Sequence, residues 1–143
     1  MAKTKKKAKP KAKKPARAAT KRKAAPAKPK FGQVVHWEVQ AKDPARAQKF
    51  FGELFGWKID ANNPMSYGLV SSGGKDGIDG GIGGAPGGAS LVTFYVRVPD
   101  INATLAKAEA LGAQTIMPRT DIGMVIMAQF RDLEGNTIGV IEG

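Results

Sequence analysis

The chain contains no cysteine. That absence removes disulfides, thiolate nucleophiles and zinc–thiolate sites together, and it rules out a secreted disulfide scaffold. Histidine is nearly missing as well: His36 stands alone among 143 residues, so it has no second imidazole with which to share a metal. No apolar run approaches the length of a membrane span. The basic start has neither the apolar segment of a secretory signal nor the amphipathic pattern of a transit peptide. A soluble, cytoplasmic protein with no membrane partner is therefore expected. Residues 1–30 lack acidic side chains altogether, and after Met1 they hold nothing apolar larger than Ala.

What that segment does hold is charge. It carries 14 Lys or Arg, whereas residues 31–143 carry 9 basic against 12 acidic groups, so the net +11 divides into +14 and −3. A stretch of Lys, Ala, Pro and Arg cannot bury enough apolar surface to offset the entropy lost on ordering. Residues 1–30 are expected to be a disordered tail, kept extended by Pro10, Pro15, Pro26 and Pro29 and by like-charge repulsion. Residues 31–143 suffice for one domain with a core.

That domain is written twice. Val34–Gln40 aligns with Leu91–Arg97 at an offset of 57, and Gly77–Ile82 aligns with Gly135–Val140 at an offset of 58. A duplicated β-α-β unit predicts a pseudo-twofold domain whose working cleft lies between two sheet halves. In the first half, strand Val34–Gln40 leads to Asp43-Pro44, a helix cap with Pro in the first helical position. Ala47, Phe50, Phe51, Leu54 and Phe55 then fall at helical spacing, a stripe expected to dock on the sheet, and Gly56 ends the helix. Short strands are expected near 57–59 and 67–71. The nine glycines of 73–88 read as a flexible connection that includes a short strand near 80–82. No phosphate loop fits there, since Pro86 stands where the third Gly of G-x-G-x-x-G belongs. The second half predicts strand Leu91–Val98, Asp100 as cap, and a helix over 101–111 with Ile101, Leu105, Ala108 and Leu111 inward. Strands near 115–117, 124–130 and 137–141 complete it.

The run Val35-His36-Trp37-Glu38-Val39, then Asp43-Pro44-Ala45-Arg46-Ala47, then Phe50-Phe51 and Phe55-Gly56-Trp57, resembles the opening module of the glyoxalase/bleomycin resistance/dioxygenase superfamily, the vicinal oxygen chelate (VOC) proteins. The ending Phe130-Arg131-Asp132-Leu133-Glu134-Gly135-Asn136 is similar to that family's closing F-x-D-P-x-G-N, with Leu133 where Pro is usual. The resemblance covers 31–143. It implies an α+β fold of two tandem β-α-β-β-β modules, about 31–85 and about 89–143, forming an open cleft. It also implies a homodimer, common among members of this size, and a divalent metal held by four strand positions. Those positions fall here on His36, Gly81, Thr93 and Gly139, of which only His36 can ligate. Glu38, on the same strand face roughly 6.6–6.8 Å away, raises the donors to two, where catalytic zinc takes three. Neither a metal nor any other cofactor is expected.

Strand alternation puts His36, Glu38 and Gln40 on one face of the first strand and Thr93, Tyr95 and Arg97 on the matching face of its repeat. The pseudo-twofold sets these strands side by side, so the six converge on a concave surface, the usual setting of a small-ligand pocket. A solvated sheet face is the plain alternative. Arg97 suits an anionic or carbonyl-bearing ligand. His36 and Glu38 also offer an acid–base pair without a metal, but no nucleophile is visibly paired with His36, and catalytic residues stay unassigned.

In the tail, Lys5, Lys6, Lys7, Lys9, Lys11, Lys13, Lys14, Arg17, Lys21, Arg22 and Lys23 form a pattern similar to the Lys/Ala/Pro-rich tails of linker histones and bacterial histone-like proteins. Such tails bind nucleic acid by displacing counterions from phosphates, without sequence preference. Lacking aromatics, this one has no base stacking to add. An acidic protein, an anionic membrane, a localisation signal and a solubilising appendage are competing readings of the same charge. Three functions follow. The favoured one is a VOC-type domain that has lost most metal ligands, binds a small molecule, and is tethered to nucleic acid and so nucleoid-associated. The second is a glyoxalase- or dioxygenase-type enzyme, related to lactoylglutathione lyase, with an atypical metal or metal-free site. The third is an architectural nucleoid protein with an inert head.

Overall fold

The structure, a computed structural model, describes residues 10–12, 31–72 and 74–143. Its elements run β1 (Val34–Ala41), α1 (Pro44–Phe55), β2 (Lys58–Asp60), β3 (Gly68–Ser71), β4 (Gly80–Gly84), β5 (Leu91–Val98), α2 (Ile101–Ala110), β6 (Gln114–Asp121), β7 (Ile126–Arg131) and β8 (Thr137–Glu142). These are two β-α-β-β-β modules in tandem, as expected. All eight strands join one mixed sheet in the order β2-β3-β4-β1-β5-β8-β7-β6. Outward from the central antiparallel β1–β5 pair, each side repeats the same strand sequence. Glu38 of β1 lies opposite Gly81 of the parallel strand β4, and Tyr95 of β5 lies opposite Gly139 of the parallel strand β8. The two pairs are related by the 57- and 58-residue offsets of the sequence repeat.

Both helices start at the expected caps. Asp43 Oδ1 accepts from the Arg46 amide at 3.0 Å, and Asp100 Oδ1 accepts from the Ala103 amide at 2.9 Å. Each bond satisfies an amide that the first helical turn leaves without a partner. Gly56 closes α1 in the left-handed region, φ 67°.

The modules differ in how they bury their helix. In module two, Ile101 and Leu105 of α2 pack with Val98, Ala128 and Val140, ringed by Val96, Ile126 and Phe130. Leu111, expected inward, is exposed because it caps the helix beyond its last turn. In module one no residue of α1 is buried. The stripe expected to dock does so only in part: Ala47 and Phe51 are half-buried, whereas Phe50 and Leu54 are each 56% exposed. Behind α1, four of the five residues of β4 are glycine, leaving the buried Ile82 as that strand's one side chain. Aromatic rings fill in instead. Phe51 and Phe55 lie 6.1 and 4.9 Å from Trp57, and Trp57 lies 5.0 Å from Trp37.

The short strand expected near 80–82 within the glycine-rich stretch is β4, extended to Gly84. Its residues 80–83 are buried in mid-sheet between β3 and β1. A Cβ at Gly80 would fall inside the Trp37 indole, and one at Gly81 inside the Tyr67 ring. Glycine is required there because the neighbours' rings take the room.

Among the described residues no helix is long and apolar enough to cross a membrane. The tail positions Lys5, Lys6, Lys7, Lys9, Lys13, Lys14, Arg17, Lys21, Arg22 and Lys23 lie outside the described residues. Lys11 falls in the segment 10–12, exposed and in neither helix nor strand.

Candidate functional site

The curl of the sheet encloses a cavity of about 120 Å³ on the face opposite the helices. Its floor is polar: His36 and Glu38 from β1, Tyr95 from β5, and Tyr67 from the loop before β3. Its walls are apolar, from Met65, Leu69, Met127 and Ile141 together with Ile122, Met124 and Val125. Local hydrogen bonds fix both loops that contribute. Asn63 grips Tyr67 at both ends of its peptide, accepting from the Tyr67 amide at 3.0 Å and donating to the Tyr67 carbonyl at 2.7 Å. The β6–β7 turn is held by Asp121, which accepts from the Gly123 amide at 2.8 Å, and by the Ile122 amide donating to the Val125 carbonyl at 3.1 Å. That turn delivers Ile122, Met124 and Val125 to the wall.

On the floor, Glu38 is the hub. Its Oε2 accepts from the Tyr95 hydroxyl at 3.1 Å and the Tyr67 hydroxyl at 3.4 Å, and its Oε1 accepts from Gln40 at 2.6 Å. Gln129 of β7 donates to the Tyr95 hydroxyl oxygen at 2.8 Å. His36 Nε2 lies 2.9 Å from the Tyr67 hydroxyl, whose single proton serves either Glu38 or the imidazole. Burial pushes both tyrosine hydroxyls well above the ordinary tyrosine pKa, and the Glu38 charge adds to it. They are donors here, not bases. Burial lowers the His36 pKa from its ordinary value, and the charges of Glu38 and Asp79 oppose that shift only in part.

Of the six residues expected in the cleft, His36, Glu38 and Tyr95 line the cavity. Gln40 serves it through Glu38. Thr93 is not among the lining residues: buried at 5% exposure, it donates its hydroxyl to the Thr137 carbonyl at 2.7 Å. Arg97 is not among the lining residues, although it pairs with Ile141, which is, two positions along β5 from Tyr95. Tyr67 and Gln129 went unnoticed in the sequence. Leu69 and Gln129 are matched through the opposed glycines Gly81 and Gly139, an offset of 60 where the flanking repeat shows 57–58. The extra residues hid the correspondence. A further sign was Gly81 and Gly83 alternating on one strand, the footprint of a ring lying across it, here that of Tyr67.

Among the described residues no group of three His, Cys, Asp or Glu side chains converges as a metal centre requires. At Gly81 the Tyr67 ring fills the space a side chain would need, and at Gly139 the Tyr95 ring does the same.

The same architecture recurs in solved structures of low identity. A glyoxalase/bleomycin resistance protein/dioxygenase superfamily member from Vibrio splendidus superposes with a TM-score of 0.52 at 19% identity, over 77% of this chain and 97% of the other. The methylmalonyl-CoA epimerase of Mycobacterium tuberculosis gives 0.54 at 14% identity, over 78% and 88%. A Mn(II)-bound glyoxalase from Novosphingobium aromaticivorans gives 0.58 at 12% identity, over 78% of this chain and 39% of its own. No curated protein matches the chain. The family model described as Glyoxalase/Bleomycin resistance protein/Dioxygenase superfamily matches residues 33–140, most of the chain, from before β1 into β8. The protein belongs to that superfamily.

Proposed function

We propose that the VOC domain binds a small, largely apolar molecule without a metal, and that the basic tail holds the domain on nucleic acid, making it a cytoplasmic, nucleoid-associated protein. The observation that supports the first part is the coincidence of an apolar cavity with strand positions already filled by the protein itself. A divalent ion at the family's positions would find one donor, His36. Thr93 is committed to a backbone carbonyl, and tyrosine rings stand over Gly81 and Gly139. Glu38 is held by three donors. These residues do not fit a metal. The enzyme alternative, a glyoxalase- or dioxygenase-type activity, has less support on this floor: both tyrosines keep their protons, and the hydroxyl in contact with His36 is that of Tyr67.

The cavity volume is of the order that holds one six-membered ring, and Met65 and Met124 at its exposed edge are adaptable walls. The test is an NMR titration of the full chain with uncharged ring fragments at millimolar concentration. Shifts confined to the amides of Tyr67, Tyr95, Met127 and their neighbours are expected, and their absence for every fragment contradicts the proposal. A homodimer is supported by the uncovered helix side of the sheet, where Phe50, Leu54 and Val92 are exposed.

A further inference from the structure

We infer that the ligand of this cavity is an apolar amine, bound with its N–H groups on Glu38. The inference rests on the small-molecule reading above and narrows it to a chemical class.

A count of donors and acceptors on the floor carries it. The Tyr95 hydroxyl proton goes to Glu38, and the single Tyr67 proton goes to Glu38 or to His36 Nε2. The side-chain amides of Gln40 and Gln129 are turned to Glu38 and Tyr95. Among the lining side chains, then, the hydroxyl donors are spent inside the network. Only His36 has an N–H left to offer, and only in the tautomer in which Tyr67 donates to Nε2. Acceptors remain in surplus. A carboxylate has about four acceptor directions, of which Glu38 uses two or three depending on where the Tyr67 proton goes, and each tyrosine oxygen keeps a lone pair. A ligand that arrives with a carbonyl or carboxylate oxygen meets acceptors facing acceptors. A ligand that brings N–H groups completes the set.

Charge points the same way. Glu38 is the only acidic residue among those lining the cavity, and none of the described residues lining it is Lys or Arg. Arg97 lies outside it, and Arg119 is engaged with Glu142 at 2.6 and 3.0 Å. An anion would stand against the Glu38 charge with no compensating cation. An ammonium would be drawn by that charge and by the faces of Tyr67 and Tyr95. Its apolar body would lie against Leu69, Met127 and Ile141. This reverses the expectation that Arg97 recruits an anionic or carbonyl-bearing ligand.

The test compares three probes of one shape, benzylamine, benzyl alcohol and benzoate, titrated into the full chain at physiological salt and followed by amide shifts at Tyr95 and Met127. The net +11 of the chain favours benzoate, so a preference for the amine must come from the cavity. The expected result is benzylamine tightest, with benzoate at least tenfold weaker, and the amine's advantage over the alcohol lost in Glu38→Gln but kept in Glu53→Gln on the surface of α1. Benzoate binding as tightly as benzylamine, or an amine advantage that survives Glu38→Gln, overturns the inference and leaves the pocket standing. If the alcohol binds at these amides and the amine does not, the inference is likewise overturned. If none of the three moves them, the pocket reading falls with it.

Discussion

Gly139 and Gly81 sit at equivalent points of the two modules, yet they face different ends of a tyrosine. A Cβ at Gly139 meets the body of the Tyr95 ring, and Tyr95 is only 1% exposed, so the ring cannot retreat. A Cβ at Gly81 meets the hydroxyl end of Tyr67, which lines the cavity and can swing into it. Overpacking a tight core costs about 1–3 kcal/mol. Gly139→Ala is expected at the upper end of that range and Gly81→Ala at the lower, as read from urea midpoints with unchanged slope. The Gly81 variant should also narrow the cavity and weaken fragment binding. At this scale the sequence was half legible. His36, Glu38 and Tyr95 could be placed because alternation along a strand is reliable. Thr93 shares their face but turns its hydroxyl to the backbone, and alternation cannot see that. Tyr67 enters from a loop whose geometry depends on the Asn63 clamp, a contact no periodicity reports.

Elements follow their caps more faithfully than their stripes. Asp43-Pro44, Asp100 and Gly56 mark helix ends through local hydrogen bonds and φ, so they were readable from the chain alone. How much of a helix is buried depends on what lies behind it. For α1 that is a strand of glycines, and its Phe50 and Leu54 stay outside. The start of α2 has a second support, Glu142 of β8, whose Oε2 accepts from the Ile101 amide at 3.1 Å while both oxygens bind Arg119. Arg119 first, then the Ile101 amide, lowers the Glu142 pKa to about 2 from the ordinary 4.5. Because the folded-state pKa is the lower one, this stabilisation is fully present above about pH 4.5 and is lost as pH falls towards 2. Glu142→Gln is expected to lower the melting temperature at pH 7 and to flatten its fall between pH 4.5 and 2. An unchanged acid limb in the variant would show that the bridge contributes nothing measurable.

At the scale of the whole molecule, the duplication made the fold legible, because two copies of one β-α-β pattern leave few ways to pair eight strands. Dimerisation through the exposed Phe50 and Leu54 is expected to show in sedimentation at micromolar concentration, with Phe50→Glu shifting the mass to the monomer. Residues 31–143 and DNA are both net negative, so the truncated domain is expected to bind duplex DNA weakly or not at all. The full chain is expected to bind without sequence preference. Six to ten phosphate contacts would cost about a thousand- to a hundred-thousand-fold in affinity between 50 and 200 mM salt. Affinity retained without residues 1–30, or indifferent to salt, would assign the tail to one of its other readings.

On the proposal above, the metal positions of the VOC cavity are filled by the protein's own side chains. Elemental analysis of the full chain, dialysed without chelator, tests it most directly. No stoichiometric zinc, nickel, iron or manganese is expected in the wild type, and no change in content in His36→Ala. One equivalent of a divalent metal, lost on His36→Ala, would contradict it.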